Sequence, residues 1–203
     1  MDAIQGLDVS FYQNSNMDWN QVVQSGYEFV YIKSSEGLHR VEPLAKAQAT
    51  GAQAAGLKVG YYHFAHPGQD GAVVESDFFN SVLANLPDAD LLPVLDLETN
   101  KTNLTMEQMT QWVNDFYTEM QNNGKEVVLY TYTSFYDSFI VGRKLLPQKL
   151  WLACYQNTVK LPIGRGDYEM WQYTQKGIVP GISGAVDLNT CPDLTPFLTN
   201  ATA

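Results

Sequence analysis

Three short segments set an acid between apolar neighbours: Leu7-Asp8-Val9, Leu95-Asp96-Leu97 and Val186-Asp187-Leu188. Glu98 follows two residues after Asp96. Neighbouring side chains of an extended strand point to opposite faces. The leucines and valines would therefore face one side and the aspartates the other, with Glu98 on the face of Asp96. A charge inside a core is costly without compensation, so four such acids on three separate segments are hard to ascribe to accident. Crowded carboxylates raise at least one pKa and titrate as a coupled set. A carboxylic acid kept protonated near neutral pH can donate to a leaving oxygen. Glycoside hydrolysis typically uses such an acid with a second carboxylate. Each acid also has a plainer reading: Asp8 could cap a turn, Asp96 and Glu98 could open a solvated loop, and Asp187 could bond backbone amides.

The elements that would carry these acids alternate. Strand-like runs are expected at 4–10, 29–33, 59–64, 91–97, 127–132, 150–155, 169–174 and 185–188. Helical patterns fall at 18–25, 42–55, 71–86, 105–123 and 134–141. In the third of these Val74, Phe78, Val82 and Leu86 would form the apolar face, and Thr105 with Gln108 predicts a capping box for the fourth. After residue 150 the connections are rich in Gly and Pro and show no helical period. Repeated β-α-β units imply parallel strands with right-handed crossovers. The expectation is an α/β fold: one (β/α)8-like barrel, TIM-barrel-like, with about eight strands and fewer helices. In such a barrel the C-terminal strand ends form the active site, and each acid lies near a predicted strand end.

Composition bounds the rest. A chain of 203 residues suits one domain, 1–203. A net charge of −10 argues against nucleic acid or anionic lipid as partner. No apolar run is long enough to span a membrane, and no signal peptide is visible ahead of Ile4. The two cysteines, Cys154 and Cys191, lack metal-ligand spacing and read as free thiols.

The motifs together resemble glycoside hydrolase family 25, lysozymes of the phage endolysin or bacterial autolysin type. Gly6-Leu7-Asp8-Val9-Ser10-Phe11-Tyr12-Gln13 is similar to the family's first-strand motif. Ile32-Lys33-Ser34-Ser35-Glu36-Gly37 and Gly60-Tyr61-Tyr62-His63-Phe64 resemble its second and third. Leu95-Asp96-Leu97-Glu98 carries its Asp-x-Glu signature, and Trp171-Gln172-Tyr173-Thr174 with Val186-Asp187-Leu188-Asn189 resembles its closing pair. The resemblance implies a flattened barrel with fewer helices than strands, and an N-acetylmuramidase that cleaves the β-1,4 bond between N-acetylmuramic acid and N-acetylglucosamine in peptidoglycan. On the matching positions Glu98 would be general acid and then base. Asp96 would assist, by positioning the substrate's acetamido group or by stabilising the cationic transition state. Asp8 and Asp187 would hold the sugar and tune the pair.

Tyr62 and Phe64 are expected to face inward as substrate contacts, and Trp171 and Tyr173 to stack on sugar. Lys33 and Glu36 are expected to form an ion pair near the mouth. The resemblance implies no cofactor and no metal, peptidoglycan glycan strands as partner, a monomer, and action at the bacterial cell wall. Two other readings stay open from sequence. One is a metal-dependent polysaccharide hydrolase or deacetylase, in which His63 and His66 would join the carboxylates. The other is a glycan-binding module without catalysis.

Overall fold

The protein is described here by a computed structural model covering residues 3–13, 16–146 and 148–199. The outermost residues of the expected 1–203 domain thus lie outside the described residues. Eight strands close into a barrel. They are β1 (Ile4–Val9), β2 (Phe29–Glu36), β4 (Lys58–Phe64), β5 (Val94–Asp96), β6 (Val128–Tyr132), β7 (Leu150–Ala153), β8 (Met170–Gly177) and β9 (Val186–Cys191). A two-residue strand, β3 (Arg40–Val41), pairs only with β2 as a small antiparallel appendage that sequence patterning did not suggest. Five helices pack outside: α1 (Trp19–Gln24), α2 (Ala45–Ala54), α3 (Ala72–Leu83), α4 (Met106–Asn122) and α5 (Thr133–Phe139).

Alternation of side chains divides the strands as expected. Leu7, Val9, Val186 and Leu188 join the cluster formed with α1 and α2, while Leu95 and Leu97 pack with α4. The interior is filled by Phe29, Tyr31, Val94, Tyr130, Trp151 and Met170. Rings this large fit because glycines face them. A Cβ on Gly6 would lie 2.3 Å from the Phe29 ring, and one on Gly60 would lie 2.2 Å from the Tyr31 ring. α4 begins with the anticipated capping box between Thr105 and Gln108, a feature worth about 1 kcal/mol.

Three expectations need correction. First, the strands are not all parallel: β9 is antiparallel to both β8 and β1. No helix separates β8 from β9, and a connection without a crossover favours the antiparallel return. Second, the strand expected over 91–97 is regular only from Val94 to Asp96, because Pro93 cannot donate to a ladder. Third, α3 buries the expected face only in part: Val82 is buried, but Phe78 and Leu86 are half-buried. Val74 is 55% exposed, and the inner face carries Ala72, Glu75, Ser76, Phe79 and Val82. Its register is set by a buried polar contact: Glu75 Oε1 lies 2.9 Å from His63 Nε2 and accepts from the His66 amide at 2.8 Å. His63 Nδ1 meets Ser35 Oγ at 2.8 Å. Buried polar groups need such partners, and that need overrides hydrophobic periodicity here.

Candidate active site

The barrel brings the four acids to one mouth. Asp8 and Asp187 stand opposite each other across the β1–β9 ladder. Asp96 lies between Phe64 of β4 and Tyr130 of β6 in register. A pocket of about 80 Å³ is lined by Asp8, Tyr62, Asp96, Glu98, Tyr130, Trp151, Gln172 and Asp187. At roughly 30 Å³ per water it has the volume of two or three waters. A groove of about 580 Å³ shares Glu98 and Tyr130 with it and runs past Tyr132, Asp137, Tyr155 and Lys160. A larger concavity, about 920 Å³, opens at the other end of the barrel, where β5 to β7 begin, and includes none of the four acids.

Asp187 reaches the mouth for a reason other than the expected one. It is the second residue of β9, not near its end. Because β9 runs antiparallel to its neighbours, its N-terminal end lies beside their C-terminal ends.

A directed hydrogen-bond chain holds the floor. Trp151 Nε1 donates to Asn189 Oδ1 at 2.9 Å, and Asn189 Nδ2 donates to Asp8 Oδ2 at 2.8 Å. From the other side Gln172 Nε2 donates to the same Asp8 oxygen at 2.9 Å. Gln172 Oε1 accepts from the hydroxyls of Tyr130 at 2.9 Å and Tyr155 at 2.6 Å. Every amide orientation is thus specified by its neighbour, and Asp8 is fixed by two buried donors.

The acids form two pairs. In each, the deeper member, Asp8 or Asp96, is only 6% exposed, and its partner, Asp187 or Glu98, lies nearer solvent. Burial raises Asp8 well above the usual carboxylate range, with the Asp187 charge adding to it and the Asn189 and Gln172 donors opposing. Burial likewise raises Asp96, reinforced by the charge of Glu98 and by a hydrogen bond to it, while Lys33 opposes. Burial raises Glu98 too, against the Asp96 hydrogen bond and Lys33. Asp96 Oδ1 is buried and has no donor facing it. A proton on Asp96, directed at Glu98, removes the charge that would otherwise be stranded there. In each pair, burial and the neighbouring carboxylate thus favour the protonated form of the inner acid.

Asp187 yields a stability prediction. Burial pushes it up to about 6, opposed by the Asp8 hydrogen bond and aided by the Glu98 charge. Between its unfolded value of about 4 and the folded one, the native state binds a proton that the unfolded chain has released. Stability at this site is therefore whole below about pH 4 and falls as pH rises toward the folded value. Asp187→Asn removes that cost, and its amide oxygen can still accept from Asp8. Its melting temperature should exceed that of the natural chain by a margin that widens from pH 4 to about 7. Thermal melts across that range test this, and a constant margin would contradict it.

The other expected contacts divide. Tyr62 lines the pocket. Phe64 does not; its ring lies under the Lys33 ammonium, 4.9 Å from it. Trp171 and Tyr173 are corrected outright as stacking residues of this pocket. They sit on the outer face of β8, where Trp171 Nε1 donates to the Cys154 carbonyl at 2.7 Å and Tyr173 packs with the α1–α2 cluster. Gln172 between them is the inward residue. Strand parity alone could have found it, since Met170 and Gln172 must share a face opposite to Trp171. Tyr130, Trp151 and Asn189 were also missed, because as single polar or aromatic residues in apolar strands they read as core. The Lys33–Glu36 ion pair forms as expected, at 2.7 Å. His63 cannot join the acids as a metal ligand, because it faces the helix layer with both ring nitrogens engaged. Cys154 and Cys191 are free thiols.

Residues 7–182 match the family model described as Glycosyl hydrolases family 25, a span that stops short of Asp187. The chain is 34% identical over 198 residues to Lysozyme M1 of Streptomyces globisporus, covering 92% of this chain and 67% of that protein. It is 36% identical over 187 residues to the autolytic lysozyme of Clostridium acetobutylicum, covering 92% of this chain and 55% of that protein. Among solved structures, the bacterial lysozyme from Streptomyces coelicolor superposes with a TM-score of 0.83 at 29% identity, covering 95% of this chain and 94% of that one.

Proposed function

The chain belongs to glycosyl hydrolase family 25, and from that premise we propose that it is a muramidase hydrolysing the β-1,4 bond between N-acetylmuramic acid and N-acetylglucosamine of bacterial peptidoglycan. The observation that carries this reading is the convergence of Asp8, Asp96, Glu98 and Asp187 with Tyr62 on one small pocket at the barrel mouth. Glu98, nearer solvent and beside the groove, receives the proton of its pair and delivers it to the glycosidic oxygen, then takes one from water in the second step. Asp96, having passed on its proton, faces the reacting sugar as an anion. There it orients the acetamido group or stabilises the oxocarbenium-like transition state. Tyr62 faces the same volume and can donate to the acetamido oxygen. Asp8, Asp187 and the Gln172–Asn189 chain fix the sugar from the opposite wall.

Glycan strands of the cell wall are the partner in this reading, and the wall is the place of action. The barrel is the catalytic unit, acting as a monomer. The net charge of −10 gives no attraction to an anionic wall, so recognition rests on the shape of pocket and groove. Digestion of purified peptidoglycan, followed by mass spectrometry of the fragments, tests the proposal. New reducing ends on muramic acid are expected. Glucosamine ends would make the enzyme a glucosaminidase, and the absence of new reducing ends would make it a binder.

A further inference from the structure

Lys33 is a buried cation, 9% exposed, on the inward face of β2. Residues three apart on a regular strand face opposite sides, so Lys33 and Glu36 should point apart. They do not, because the β2–β4 ladder shifts register between Lys33 and Ser35. Lys33 pairs with Tyr62, Ser35 with outward His63, and Glu36 with Phe64. The extra residue, Ser34, is fully buried and donates to the Tyr62 carbonyl at 3.0 Å. Bulges re-aim side chains in this way and cluster beside active sites.

Glu36, so turned, becomes a hub. Its Oε2 lies 2.7 Å from Lys33 Nζ and 3.9 Å from Arg40 Nη1, and its Oε1 lies 3.2 Å from His66 Nε2. Arg40 is tied in turn to Glu42 at 2.6 Å. Phe64 supports Lys33 from below and meets the His66 ring edge-on at 5.7 Å. The groups facing Asp96 and Glu98 from the other strands are the acids Asp8 and Asp187 and the phenols Tyr62 and Tyr130. Lys33 Nζ stands 4.9 Å over the Phe64 ring, and Phe64 is the partner of Asp96 in the β4–β5 ladder, so this ammonium sits beside the pair on the β2–β4 side, while Lys160 lines the adjoining groove with Glu98. The charge of Lys33 opposes protonation of both carboxyl groups.

We propose that Lys33 is a positioning residue for the reaction, whose ammonium, pinned by Glu36 and Phe64, keeps the Asp96–Glu98 pair at one proton. This rests on the muramidase reading. With two protons the pair has no anion to face the sugar, and with none it has no acid. Lys33 sets the upper occupancy by opposing a second proton, and Glu36 moderates it, so that the remaining proton is not expelled.

The test is the pH profile of kcat/KM on soluble glycan fragments. Removing the positive charge in Lys33→Met should move the whole profile to higher pH by about one unit at most, the low end of the effect of an opposite charge on a carboxylate. Removing its counter-ion in Glu36→Gln should move the profile the other way, to lower pH. Lys33→Arg should restore the natural position. A profile in Lys33→Met that falls by one factor at every pH without shifting overturns the proposal, as do shifts of the same sign in both variants. Should Lys33→Met turn over too slowly to profile, the Glu98 carboxyl is followed by carbon NMR titration in the folded variant. A midpoint raised over the natural chain supports the proposal, and an unchanged one ends it. Activity of the natural chain on the same fragments separates this outcome from a failure of the muramidase reading itself.

Discussion

Glu98→Gln is expected to lower the turnover of wall hydrolysis about 10³-fold, the middle of the range for loss of a general acid, with a melting temperature no lower than that of the natural chain. The amide keeps the shape and the contact with Asp96, so substrate should still bind and KM should change little. It cannot carry a proton to the glycosidic oxygen. Stability should hold because Glu98 is raised by burial, so its charge is a cost to the fold that the amide lacks. The assignment gains a sharper check from the leaving group. An aryl glycoside whose phenol departs without protonation should recover much of the lost first-step rate in Glu98→Gln. Natural-like rates on wall material in this variant would remove Glu98 from the mechanism.

Asp96→Asn is expected to cost about 10²–10³ in kcat, comparable with removal of a preorganised electrostatic group, and here the activated leaving group should give no recovery. Asparagine can still offer a hydrogen bond to Glu98. It can neither supply the shared proton nor become the anion that faces the sugar. Asp96 is deeply buried, and its Oδ1 has no donor, so the substitution should leave the fold intact at neutral pH. The two variants thus separate by substrate: one rescued by a good leaving group, the other not. If both were rescued equally, Asp96 would have no role beyond holding the proton for Glu98, and its proposed action on the acetamido group or the cationic centre would fall.

Both expectations turn on one feature. The inner acids, Asp8 and Asp96, are held where their charge is expensive, and each is coupled to an outer acid that solvent reaches more easily. Such sites set function against stability. The fold compensates elsewhere, with the Trp151–Asn189–Asp8–Gln172 chain on one wall and Lys33 at the mouth.

Much of this was legible beforehand. An acid between two large aliphatics on three segments can be satisfied by few arrangements, since one face must bury hydrocarbon and the other must gather charge. That reasoning located Asp8, Asp96, Glu98 and Asp187 and the division of the strands into inner and outer faces. The five helices were visible from caps and periodicity, to within a few residues. Where the reading failed, a contact between distant residues had overruled a local pattern. The inner face of α3 follows Glu75 because His63 needs a partner, although Val74 and Phe78 looked better suited. Trp171 and Tyr173 were favoured as aromatics, whereas parity on β8 turned Gln172 inward.

The sequence by itself determined which residues carry charge, which surfaces must be buried and how far apart along the chain they stand. Those are properties of residue type and of the two-residue and 3.6-residue periods, and they need no knowledge of neighbours. Only the tertiary structure decided that β9 runs antiparallel, that a bulge at Ser34 turns Glu36 onto Lys33, and that Asp187 stands opposite Asp8. Direction, register and the meeting of Asp8 with Asp187 depend on contacts between strands far apart in the chain. They are energies of pairs, which no single stretch of residues contains.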